Sequence, residues 1–99
     1  MTTESLQRTV SVVHRQGLHA RPAALFVQTA KRYHCRVTVK KGRKIVDGKS
    51  IMGLLMLAAN TGSRIVILAE GPDAAQALEA LCSIVTEPLP EAGESFERL

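Results

Sequence analysis

Apolar and polar residues change their period several times along this 99-residue chain, and each change marks an element. Leu6, Arg8, Val10 and Val12 alternate loosely with Gln7, Thr9, Ser11 and Val13, which predicts a strand over residues 6–13. The turn-like His14-Arg15-Gln16-Gly17 ends it, with His14 expected at the surface of the strand end. From Ala20 the period lengthens: Ala20, Ala23, Ala24, Val27 and Ala30 recur at i, i+3, i+4, i+7, with Phe26 flanking. That predicts a helix from about Ala20 to Arg32, ended by Tyr33 and a solvent-facing His34. Pro22 fits only in the first helical turn, so His19 stands at about the N-cap.

Cys35, Val37 and Val39 then alternate with Arg36, Thr38 and Lys40 as a half-buried second strand. Lys41-Gly42 turns into a third strand, Arg43 to Val46, whose cationic tip is expected to be solvated. After Asp47-Gly48, Ser50 is placed to cap a short helix running to about Met56, and Asn60-Thr61-Gly62 closes it. The uninterrupted run Ile65-Val66-Ile67-Leu68 predicts a buried fourth strand over Arg64 to Ala69. Gly71-Pro72-Asp73 then opens a third helix with a good cap, and Ala74, Ala77, Leu78, Leu81 and Val85 form its core face. Pro88 and Pro90 stop that helix.

The order is βαββαβα, an α+β sheet with helices on one face; a ferredoxin-like arrangement fits the pattern equally. Residues 1–87 form one domain, and residues 88–99 are expected to be a short, acidic, disordered tail.

Charge sharpens this division. Residues 1–86 carry 12 Lys or Arg against five acids, net +7, whereas residues 87–99 carry four Glu against Arg98, net −3. A basic body favours acidic partners. With only Phe26, Tyr33 and Phe96 for stacking, a single-stranded nucleic-acid binder is disfavoured. No apolar run approaches the ~20 residues of a membrane span, and Met1-Thr2-Thr3-Glu4 lacks the basic-then-apolar pattern of a signal, so a cytoplasmic protein is expected. Cys35 and Cys82 show neither CxxC nor metal-ligand spacing and are expected to be reduced structural thiols.

Two stretches carry chemistry. In Gly17-Leu18-His19-Ala20-Arg21-Pro22-Ala23-Ala24 a histidine and an arginine share a helix entrance. The first-turn amides of Ala20, Arg21 and their neighbours lie outside the intrahelical ladder, and the macrodipole there favours an anion. Imidazole is a nucleophile and guanidinium a usual partner of phosphate, so the string describes a histidine that accepts a phosphoryl group. A bare His-x-Arg-Pro would serve equally as a polar cap. The second stretch is Gly48-Lys49-Ser50-Ile51-Met52-Gly53-Leu54-Leu55-Met56-Leu57. Ile51, Met52, Leu55 and Met56 are too many apolar residues for a short helix that buries one side. Ile51, Leu54 and Leu55 are the core candidates. Ile51, Met52, Leu55 and Met56, as far as they are not taken into the core, would form with Leu18 and a rim of Arg15, Arg21 and Lys49 an apolar docking surface suited to an acidic partner face.

Together the two stretches resemble those of the HPr family, the histidine-containing phosphocarriers of the bacterial sugar phosphotransferase system, over roughly residues 5 to 87. The resemblance implies an open-faced sandwich, a four-stranded antiparallel sheet covered on one face by three helices. It implies a carrier, not an enzyme: His19 accepts a phosphoryl group through Nδ1 from phosphorylated enzyme I, Arg21 and the amides of Ala20 and Arg21 hold it, and an enzyme IIA domain receives it. It further implies regulatory phosphorylation of Ser50 by HPr kinase/phosphorylase, a catabolite-control transcription factor as a further partner, a monomer, and no cofactor or metal. The alternative within the family is a mainly regulatory paralogue of a catabolite or nitrogen branch. The presence of His19 speaks against the catabolite branch, and the intact Lys49-Ser50-Ile51-Met52-Gly53 against the nitrogen branch.

Overall fold

A computed structural model describes residues 4–89. The elements follow the expected order: β1 (Ser5–Ser11), α1 (Ala20–Ala30), β2 (Arg36–Lys41), β3 (Lys44–Asp47), α2 (Ile51–Met56), β4 (Arg64–Glu70) and α3 (Ala74–Thr86). The strands form one antiparallel sheet in the order β1-β4-β2-β3, with the three helices on one face. A ferredoxin-like sheet centres on its first strand; here β1 is an edge, which settles the topology left open by the pattern.

Register explains which face is covered. Val10 pairs with Ile65, Arg8 with Ile67 and Leu6 with Ala69 across β1 and β4, while Val37 pairs with Ala69 and Val39 with Ile67 across β2 and β4. Ile65, Ile67, Ala69, Val37 and Val39 are fully buried beneath the helices. The alternate residues Val66 and Leu68 remain half-exposed on the open face. The apolar run of β4 therefore marks a central strand covered on one side only, a correction to the fully buried strand that its composition suggested. Arg8, on the covered face but at the sheet edge, sets its guanidinium against the Cys82 thiol of α3. Burial pushes that thiol up and the arginine partly opposes it.

The buried stripe of α1 is Pro22, Ala23, Phe26, Val27, Thr29 and Ala30, so Phe26 sits at its centre, not at its flank, while Ala20 is exposed and Ala24 half-exposed. One ring removes far more area from water than several methyl groups and so decides the rotation of the helix. Arg32 N–H bonds Thr29 O at 3.0 Å and Tyr33 N–H bonds Ala30 O at 3.2 Å, short-range bonds that tighten the end of α1 before Arg32.

The core face of α3 is as expected, Ala74, Ala77, Leu78, Leu81 and Val85, joined by Cys82. Its cap is not. The Asp73 carboxylate makes no bond to its own helix and instead accepts from His34 N–H at 2.9 Å and Cys35 N–H at 3.0 Å. Asp73 therefore ties the start of α3 to the entrance of β2. These donors, His34 N–H first, hold its carboxyl below the ordinary range. Gly71 makes the approach possible: a Cβ there would stand 2.7 Å from Cys35 Cα. Cys35 and Cys82 are buried free thiols. No helix among the described residues is long and apolar enough to cross a membrane. Of the tail assigned to residues 88–99, residues 90–99 lie outside the described residues.

Candidate functional site

The loop between β1 and α1 is fixed from two sides, by the 59–63 loop and by the end of α3. Val12 and the 59–63 loop exchange bonds (Val12 N–H to Ser63 O, 2.9 Å; Gly62 N–H to Val12 O, 2.8 Å), and Leu18 N–H donates to Ala59 O at 2.9 Å. The Thr61 hydroxyl donates to the carbonyls of His14 and of Arg15, the latter at 2.7 Å. From α3, Val85 O accepts Val13 N–H at 3.2 Å. Gly17 carries the turn at φ +74°, and a Cβ there would lie 2.3 Å from Ala59 O. Only glycine allows both the left-handed conformation and the close approach of the two loops.

His14 adds a second bond to α3. It is buried at 7% exposure, and its Nε2–H donates to Ile84 O at 2.6 Å, so it is not the surface residue expected at a strand end. A carbonyl only accepts, so this bond places the proton on Nε2. The signal was present in the sequence: His14 has the parity of Leu6, Val10 and Val12 and continues their inward face past the end of the ladder.

This scaffold sets His19 at the N-cap of α1, with φ −85° and ψ −168° and no side-chain bond to its own helix. His19 O accepts Ala23 N–H at 3.0 Å, the first bond of the helical ladder. The imidazole is thus spared from capping and faces a shallow cleft of about 380 Å³. Val13, His14, Arg15, Gln16, Arg21, Pro22, Pro88 and Leu89 complete the lining. His19 and Arg21 are brought together as expected, with Arg15 as a second exposed cation. Pro88 and Leu89 were not foreseen, since nothing in the sequence links residues 88 and 89 to residue 19.

The second stretch is adjacent in the fold, because α2 packs on α1 and the loop after α2 holds Leu18. Ser50 caps α2 as expected, its Oγ accepting Gly53 N–H at 3.1 Å. Of the apolar residues of α2 only Leu54 is buried, and Leu57 follows it into the core. Ile51 (39%), Met52 (63%), Leu55 (37%) and Met56 (69%) are exposed. Four outward apolar side chains on six residues make an open face; of the three candidates for the core only Leu54 is in it, and Ile51 and Leu55 lie on the open face with Met52 and Met56. Two expected members of the docking surface are placed otherwise. Leu18 is a core residue at 5% exposure, because its amide is pinned to Ala59. Lys49 does not reach the cleft: its ammonium donates to Tyr33 O at 2.8 Å, at the far end of α1.

Comparison with known proteins agrees with this geometry. Residues 6–87 match the family model described as PTS HPr component phosphorylation site. The chain is 48% identical over 82 residues to the HPr-like protein Crh of Bacillus subtilis, which covers 83% of this chain and 96% of that protein. It is 45% identical over 74 residues to the phosphocarrier protein HPr of Treponema pallidum, covering 75% of this chain and 84% of that one. Among solved structures, a phosphocarrier protein HPr from Bacillus anthracis superposes with a TM-score of 0.80 at 51% identity, covering 83% of this chain and 98% of that chain. Related structures include dimers, a domain-swapped Crh of B. subtilis and an HPr dimer of Thermoanaerobacter tengcongensis.

Proposed function

This chain belongs to the HPr family of phosphocarrier proteins, and from that membership we propose that it accepts a phosphoryl group on His19 and passes it on. The donor is phosphorylated enzyme I, charged by phosphoenolpyruvate, and the acceptor is an enzyme IIA domain. The observation that carries this reading is the shared cleft of His19 and Arg21 at the amino end of α1. The lone pair of His19 Nδ1 attacks phosphorus, the bond from phosphorus to the donor breaks, and the donor group leaves with that electron pair. The transferred group sits where the macrodipole and the guanidinium both favour negative charge. Such a transfer is mostly positioning and charge stabilisation, so the chain needs no catalytic machinery of its own and turns nothing over alone.

Docking falls to the open face of α2, with Met52 and Met56 at its centre and Arg15 and Arg21 nearby as cations. An apolar patch with basic neighbours suits fast, transient contact with acidic partner faces. All of these residues lie on one chain, so a monomer in the cytoplasm suffices for the relay. Intact-mass spectrometry after incubation with phosphoenolpyruvate and enzyme I tests the reading. One acid-labile phosphoryl group on the native chain and none on His19→Ala supports it; an unmodified native chain contradicts it.

A second reading adds regulation through Ser50, favoured by the likeness to Crh of B. subtilis, a protein named in its solution structure the catabolite repression HPr. Ser50 is half-exposed at the start of α2, beside the docking face. A phosphate there adds about −1.5 to −2 charges at a helix start, compatible with the helix but opposed to an acidic partner. HPr kinase/phosphorylase is the proposed agent and a catabolite-control transcription factor a proposed reader. Acid-stable phosphate on Ser50 after incubation with ATP and that kinase is the expected result, and its absence removes this reading alone.

A further inference from the structure

The His19 cleft holds a second imidazole, that of His14, which the transfer described above leaves unused. Its two ring nitrogens have different surroundings. Nε2–H is committed to Ile84 O, 2.6 Å away in the last turn of α3. Nδ1 makes no hydrogen bond among the described residues, yet no buried side-chain nitrogen or oxygen among them lacks a partner. Nδ1 therefore meets solvent, and the cleft that His14 lines is where it does so. A neutral ring bonded this way offers the cleft only a lone pair, whereas an imidazolium donates from both nitrogens. Protonation thus keeps the bond to Ile84 O, strengthens it by charge and turns an acceptor into a donor at the cleft. No movement is needed, because the carbonyl of the same residue accepts Gly17 N–H at 2.8 Å and the Thr61 hydroxyl.

The charges around the ring set when that proton is held. From its own loop and from α1, Arg15, His19 and Arg21 share the lining. The 59–63 loop carries no titratable side chain. The end of α3 supplies Glu87, which is exposed and stands outside the lining, and no Asp or Glu is among the described residues that line the cleft. In the empty cleft Arg15 and Arg21 oppose a third positive charge. A dianion on His19 reverses that balance, because it attracts the imidazolium directly and offsets the two guanidinium groups.

We propose that His14 is the proton-linked partner of the group carried on His19. As the phosphoryl dianion arrives, His14 Nδ1 takes one proton from solvent and donates it as a hydrogen bond to a phosphoryl oxygen; as the group leaves, the proton returns to solvent. Protonation of His14 by an anion in the cleft stands on the cleft alone. Its consequence, a phosphoryl group held more firmly as pH falls, rests on the carrier reading.

The test follows the ring nitrogens of His14 by NMR in the full native chain from about pH 5 to 9, with and without inorganic sulfate, which stays a dianion throughout. Sulfate should raise the pH at which Nδ1 is half-protonated by about 0.5–1 unit while the Nε2–H signal persists. A half-protonation pH that sulfate leaves in place, or a resting ring with its proton on Nδ1, overturns the proposal. By reciprocity, sulfate binding should tighten on acidification by about 3- to 10-fold less in His14→Gln than in the native chain, His19 contributing equally to both. Glutamine retains an N–H for Ile84 O but gains no charge. A loss of affinity by one factor at every pH is what a loosened loop gives, and it too overturns the proposal. Charging by enzyme I separates the readings. A chain that is never charged can still show the sulfate shift. Normal charging with an unmoved His14 removes the proton partner and leaves the carrier intact.

Discussion

Gly17 shows how much of the site depends on one residue without a side chain. A methyl group there must displace Ala59 O, 2.3 Å away, while the backbone is held at φ +74°. Gly17→Ala is therefore expected to destabilise the fold by about 1–3 kcal/mol and to shift the His19 amide signal, both visible in urea unfolding and NMR. Ala58 is the converse case. It closes α2 at φ +51°, a left-handed position normally given to glycine. Ala58→Gly should stabilise the protein by about 1 kcal/mol in the same measurement. For Arg21 the expectation concerns rate. Loss of a two-point, charge-assisted contact in Arg21→Lys should slow charging of His19 by about 10-fold or more with little change in melting temperature, read by stopped-time mass spectrometry.

At the scale of elements, two acceptor side chains decide how helices begin. Ser50 caps its own helix, so Ser50→Ala should cost about 1 kcal/mol in urea unfolding apart from any effect on regulation. Asp73 instead joins α3 to β2, and its carboxyl is held low by the His34 and Cys35 amides. A group with a depressed folded-state pKa contributes stability above its unfolded value, and that contribution is lost as pH falls through the folded one. Melting curves should therefore show the native chain and Asp73→Asn diverging above about pH 4 and converging in stronger acid. The sequence pattern announced a cap at residue 73 because Asp before a helical run is the usual cap signature. Which backbone amides it would meet depends on β2 lying alongside, 38 residues away, and no local pattern carries that. The same limit applies to Phe26: periodicity located the helix, and packing of α1 against α3 and α2 chose its inward edge. His14 and Leu18 were legible as residues of a loop but not as anchors, since their partners, Ile84 and Ala59, come from distant turns.

Across the whole molecule, the order of elements and the pairing of His19 with Arg21 were legible because each rests on short-range constraints, Pro22 above all. The sheet order and the wall formed by Pro88 and Leu89 were not, because the first follows from long-range strand pairing and the second from the docking of α3. The net +7 of residues 1–86 belongs to this scale too. Association with enzyme I should slow several-fold between about 0.05 and 0.5 M salt, a steering effect measurable by stopped-flow, while Met52→Ala/Met56→Ala weakens binding at every salt concentration.

The proposed carrier both takes and surrenders its phosphoryl group at His19. The most direct measurement charges the chain with phosphoenolpyruvate and enzyme I, removes both, adds an enzyme IIA domain, and follows the intact masses of the two proteins over time. One phosphoryl group is expected to leave this chain as one appears on the enzyme IIA domain, and His19→Ala never to enter the exchange. A charged chain whose phosphoryl group persists beside enzyme IIA, or one labelled equally well without His19, would contradict this expectation.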